Sequence, residues 1–74
     1  MSGPAWDTER AAELASTAYR YVANVFPKEA DYALLEKHTH AAHTAQDTGD
    51  LDAFEEALRE LMRAAKREAR RRAA

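Results

Sequence analysis

The chain has 74 residues, which is one small domain at most, and no cysteine, which excludes a disulfide framework and a thiolate metal knuckle. Its apolar share is 46%, but 18 of those positions are alanine, isoleucine is absent, and six leucines, two valines, two phenylalanines, three tyrosines, Trp6 and Met62 are left to build a core. Alanine favours helix and buries little area, so the composition describes helices around a thin core; it argues against a β sandwich or barrel and against the walls of a large enzyme cleft.

The net charge of −2 hides an asymmetry. Residues 63–72 carry six bases and one acid, whereas the rest of the chain has a net charge of −7. No apolar run approaches the roughly 18 residues that span a bilayer. The N-terminus has no basic stretch followed by an apolar one, so a cytoplasmic location without membrane partners is expected.

Pro27 and Gly49 divide the sequence into three segments, and each predicts a helix. The first is expected from about Pro4 to Val25, with Pro4 in the first turn and Asp7, Glu9 and Glu13 near the positive end of the dipole. Its apolar residues, Ala11, Leu14, Ala18, Tyr21 and Val25, are spaced 3, 4, 3 and 4, and Pro27 ends it. The second is expected from an Asp31 N-cap to about Asp47, with an earlier start at Pro27 as the alternative. Its stripe is Leu34, Leu35, His38, Ala41, Ala42 and Ala45, and Gly49 suits the left-handed position after it. The third begins after an Asp50 N-cap, repeats Leu51, Phe54, Leu58, Leu61 and Ala65 at helical spacing, and is expected to fray beyond Arg70. Glu55–Arg59 and Glu68–Arg72 are i,i+4 pairs in the favourable order.

Short links at Pro27–Ala30 and Thr48–Asp50 allow only antiparallel neighbours. The expected fold is therefore all-α: a single domain over residues 1–74, an antiparallel three-helix bundle whose third helix is longest and ends in a protruding basic C-terminus. Pairing around Gly49 sets residues of helices two and three opposite each other when their numbers sum to about 98. This register leaves Arg70, Arg71 and Arg72 beyond helix two. Trp6 should meet Leu51 and Phe54, with Ala41, Ala42 and Ala45 making room for them.

Three groups of residues are functional candidates. Arg63, Lys66, Arg67, Arg70, Arg71 and Arg72 suit contact with phosphates of DNA or RNA, or with an acidic protein. The bases also complement a helix C-terminus, which accounts for the first four better than for the terminal run. No aromatic residue interleaves them, so binding would be independent of base sequence. Tyr19 and Tyr32, near the corner between helices one and two, are expected at a partner or dimer interface, with Tyr21 and Phe26 in the core. Glu36, His40, His43 and Asp47, spaced 4, 3 and 4, line one helix face with the residue types that ligate Zn, Ni, Mn or Fe. One exposed helix brings only two such ligands to a metal, so a polar surface is the favoured reading and no cofactor is expected. His38 reads as a core-edge histidine.

No serine or cysteine nucleophile has a base at useful helical spacing, and Gly3 and Gly49 alone cannot form a phosphate loop. The expected function is a small non-enzymatic interaction or oligomerisation module, self-associating as a homodimer or larger assembly, because so thin a core gains from further burial. An accessory nucleic-acid binder is the alternative, and metal binding comes third. The succession Trp6-Asp7, Pro27, Ala30-Asp31, Leu35, Ala45, Gly49-Asp50-Leu51 and Phe54 resembles small uncharacterised helical proteins of GC-rich bacteria, found near plasmids and other mobile elements. That resemblance spans most of the chain, implies an accessory role near DNA transactions, and brings no catalytic residues.

Overall fold

A computed structural model describes residues 5–73. Helix α1 covers Thr8–Val25, a 3₁₀ turn covers Tyr32–Leu35, α2 covers Glu36–Thr48, and α3 covers Leu51–Ala73. The all-α three-helix architecture is the one expected, and α3 is the longest element.

Each boundary has a local cause. Helix α1 begins four residues later than expected, because Asp7 is its N-cap: the carboxylate accepts the Arg10 backbone N–H at 3.1 Å. The expected start at Pro4 lies outside the described residues. Leaving Trp6 outside the helix lets its indole reach Phe54, edge to face with ring centroids 5.1 Å apart. At the other end, the Phe26 N–H closes the last turn onto the Val22 carbonyl, and Pro27 cannot continue it.

Asp31 caps the next element as expected, accepting from the Ala33 N–H at 2.9 Å, but the first turn is 3₁₀ and the α-helix proper starts at Glu36. Gly49 then adopts φ +72°, and Asp50 donates its N–H to the Ala45 carbonyl at 2.9 Å, a Schellman closure. The Asp50 carboxylate immediately accepts the Ala53 N–H and so opens α3. One residue both seals α2 and caps α3, which is why the connection is so short. Helix α3 does not fray at Arg70 but runs on to Ala73, held by ion pairs from Glu68 to Arg71 and Arg72 one turn ahead.

The topology is up-down-up. Trp6 meets Phe54, Arg10 pairs with Glu55 at 3.7 Å, and Val22 lies beside Leu61, so α1 runs parallel to α3. The start of α2, at Lys37 and His38, shares a cleft with Ala64, Arg67 and Arg71, whereas its end at Thr48 joins the start of α3 through Gly49, so α2 runs antiparallel to α3. The core is Ala11, Ala18, Val22, Phe26, Ala30, Leu35, Ala42, Ala45, Phe54, Ala57, Leu58, Leu61 and Ala65, with Trp6, Leu14, Val25, Leu51 and Met62 packed around it.

Helix α3 is the hub of the fold. It packs on both other helices, whereas no Cα of α1 lies within 8 Å of a Cα of α2. This corrects the width expected for the α2 stripe. Leu34 is 52% exposed and Ala41 is exposed, while their neighbours Leu35 and Ala42 are buried. A helix clasped by two neighbours needs a broad apolar face; α2 packs its backbone closely on α3 alone of the other helices and buries only Ala42 and Ala45, in line with Leu35 of the turn before it. Tyr21 is likewise half-buried rather than in the core.

Candidate functional site

Because α1 and α2 diverge over α3, a cleft of about 260 Å³ opens between them, lined by Tyr19 and Val22 of α1, Tyr32 and Leu35 of the 3₁₀ turn, Glu36 and Thr39 of α2, and Leu61 of α3. Val22, Leu35 and Leu61 form an apolar floor. The rims are the two tyrosines picked out by the sequence, 42% exposed at Tyr19 and 66% at Tyr32. The Tyr32 ring also leans on Phe26, centroids 5.3 Å apart, so its position is fixed by the corner between α1 and the 3₁₀ turn. The Thr39 hydroxyl donates to the Glu36 carbonyl at 2.9 Å, which uses up its donor and leaves its methyl group available as apolar surface.

The second feature is the basic end of α3. A cleft of about 330 Å³ between α2 and α3 is lined by Leu34, Lys37, His38, Ala64, Arg67, Glu68 and Arg71. Glu68 is only 9% exposed. Its Oε1 accepts from Arg71 Nε at 3.0 Å, and its Oε2 accepts from an Arg71 terminal nitrogen at 2.6 Å and from Arg72 Nε at 2.9 Å. These hydrogen bonds, Arg71's first and Arg72's second, outweigh the opposing effect of burial and hold the Glu68 carboxyl at about 2. The same bond raises the Arg71 guanidinium above its usual range. The carboxylate therefore acts as a bracket, fixing one arginine in a two-pronged grip and a second beside it.

The six basic candidates divide by what they touch. Arg63 is neutralised by Glu60 and by Glu56, the latter at 3.8 Å, and Arg71 and Arg72 share Glu68. Lys66, Arg67 and Arg70 have no carboxylate within 4 Å among the described residues, and neither does Lys37 of α2. The arginine end is exposed as expected, but it does not stand wholly clear of helix two, since Arg71 turns back to share a cleft with Leu34 and Lys37. Lys37 and His38 are the residues that sequence reasoning missed here. The signal was present in the register that sets residue 34 opposite 64, which also brings Lys37 and His38 within one turn of the basic stripe.

Glu36, His40 and His43 lie along one open face of α2 with Lys37 and Thr39, and Asp47 continues it. No group of three or more His, Asp or Glu side chains that could hold a metal ion occurs among the described residues. The Lys37 ammonium on the same face adds a positive charge that opposes a cation there. His38 is half-buried at the edge of the basic cleft, the core-edge place read from its spacing.

No described helix is long and apolar enough to cross a membrane. No family model, curated protein or solved structure matches the chain.

Proposed function

We propose that this chain is a small, non-enzymatic helical interaction module that pairs with a second copy of itself across the cleft between α1 and α2. The observation that carries this reading is the cleft itself: two helices whose Cα atoms stay more than 8 Å apart, an apolar floor, and two exposed tyrosines on the rims. Tyrosine is enriched at interface centres because it offers a large rigid ring with a polar tip. A volume of about 260 Å³ is small for a drug-sized ligand, whose sites run from about 300 Å³ upward, but suits inserted side chains. In a two-fold pair the same cleft and the same tyrosines would face each other.

The molecule exposes more surface than a compact chain of its size. Its accessible area is 5322 Å², against about 4600 Å² for a compact monomer of its mass. The excess reflects an elongated outline of 47 × 19 × 14 Å. Its radius of gyration of 13.2 Å likewise exceeds the roughly 11 Å of a compact chain this long. As for chemistry, the carboxylate most displaced from its ordinary range is Glu68, and it is displaced downward and occupied by two arginines, the wrong direction for a general acid at neutral pH.

Sedimentation equilibrium from micromolar to millimolar protein tests the proposal. The wild type should move from one copy of 8.3 kDa to two as concentration rises. Tyr19→Glu, which places a charge on the rim without touching the Phe26–Tyr32 contact, should remain one copy at unchanged helicity. A wild type that stays monomeric refutes self-association, and a Tyr19→Glu variant that dimerises as well as wild type refutes the cleft as its site.

A further inference from the structure

The basic cleft differs from the tyrosine cleft in its place and in its chemistry. Lys37 comes from α2, and Arg67 and Arg71 come from α3, thirty or more residues away in the chain, yet all three line one open concavity. The cations continue out of it along α3, where Lys66 and Arg70 stand on the solvent side. The sole acid in the cleft, Glu68, is already committed to Arg71 and Arg72. The rest of the solvent face of α3 is different, because Arg63 and Arg59 there are matched by Glu60, Glu56 and Glu55. Positive potential is therefore concentrated at one end of the molecule, in a groove and on the ridge leading from it.

We propose that this groove and ridge form a composite two-helix site for the phosphodiester backbone of nucleic acid, with Lys37, Arg67 and Arg71 at its centre and Lys66 and Arg70 extending it. Three features favour this ligand. The cations are spread along about two turns of helix, which matches a line of phosphates better than a single phosphoryl group, and the open groove gives a small anion no enclosure. Arginine predominates, and its planar fork suits phosphate oxygens; Arg67 and Arg70 have no carboxylate partner among the described residues, whereas Arg71 gives its Nε edge to Glu68 and offers only its remaining N–H groups. An acidic protein would call for a desolvated apolar pocket among the charges, and the cleft offers instead a single exposed leucine, Leu34, beside Ala64. No aromatic residue lines the groove, so binding should be indifferent to base sequence.

The test is fluorescence anisotropy of the full chain with two labelled 20-base-pair duplexes of unrelated sequence, between 50 and 200 mM salt. With the four cations that have no carboxylate partner among the described residues engaged, Lys37, Lys66, Arg67 and Arg70, affinity should fall on the order of a hundredfold over that range, equally for both duplexes. Lys37→Gln and Arg67→Gln should each weaken binding several-fold and lower the log–log salt slope by about 0.9. Arg10→Gln is the charge-matched control, because Arg10 pairs with Glu55 at the far end, and it should keep the wild-type slope. Circular dichroism confirms that every variant retains its helicity. Absence of binding at 50 mM salt overturns the proposal. So does an unchanged slope for Lys37→Gln, which would leave only the arginine tail, and so does displacement of the duplex by polyglutamate as effectively as by unlabelled DNA at equal charge, which would point to an acidic protein.

Discussion

Leu58 and Leu61 are the two largest fully buried side chains, 2% and 1% exposed, one helical turn apart on α3. They are chemically identical and equally inaccessible, yet their replacement by alanine should cost different amounts. Each change removes three carbons, worth about 2.4 kcal/mol at about 0.8 kcal/mol per methylene. To this is added the energy of whatever cavity remains, about 24 cal/mol per Å³. Leu58 lines neither the tyrosine cleft nor the basic cleft and is 2% exposed within the core cluster, so its space is not readily refilled; the expected loss is about 4 kcal/mol, inside the range of such substitutions. Leu61 is the floor of the tyrosine cleft. Its removal deepens a space already open to water and to the Tyr19 and Tyr32 rings, leaves little empty volume, and should cost about 2.5 kcal/mol. A chain of 74 residues has a total stability of about 4–11 kcal/mol. Urea unfolding followed by far-ultraviolet circular dichroism, at one protein concentration, should therefore rank wild type above Leu61→Ala above Leu58→Ala, with Leu58→Ala near the edge of folding. A Leu61→Ala variant as destabilised as Leu58→Ala, or more so, would refute the claim that α1 and α2 leave a real opening above α3.

Two further expectations test the turn and the basic end. At Gly49 a Cβ would meet nothing within 4 Å, so the cost of Gly49→Ala is the left-handed backbone alone, about 1–2 kcal/mol in urea unfolding, and Gly49→Asn should cost less; a neutral Gly49→Ala would disprove the strained φ. Glu68, its pKa lowered from 4.5 to about 2, stabilises the fold fully above pH 4.5 and loses that contribution as pH falls towards 2. The melting temperature of wild type should therefore fall towards that of Glu68→Gln over this interval, and a constant difference between them would show that the bracket contributes nothing.

Local features were readable from residues alone. Asp31 and Asp50 cap the elements that follow them, Gly49 turns the chain, and Trp6 finds Phe54, because each of these depends on a few adjacent residues or on the length of one short link. The start of α1 was misplaced because Pro4 and Asp7 are both good starting residues, and the choice between them rests on Trp6 being needed against α3. Leu34 and Ala41 were misplaced for one shared reason. Spacing marks an apolar stripe but not how many neighbours will cover it, and α2 has one close neighbour where the expected bundle gave it two.

The same division runs through the candidate sites. The two tyrosines and the row of bases were visible in the chain, since exposed aromatic rings and unmatched charge are matters of composition and period. The cleft between Tyr19 and Tyr32, the burial of Glu68 beneath two arginines, and the arrival of Lys37 beside Arg67 and Arg71 were not. By itself the sequence determined three capped helices, their order and their up-down-up course, because hydrogen bonding within a turn and the reach of a short link are local. Tertiary structure alone decided how far α1 stands from α2 and which side chains of α2 share a groove with α3. Those distances and rotations come from packing large side chains against small ones across helices, a balance in which every layer takes part and which no single segment contains.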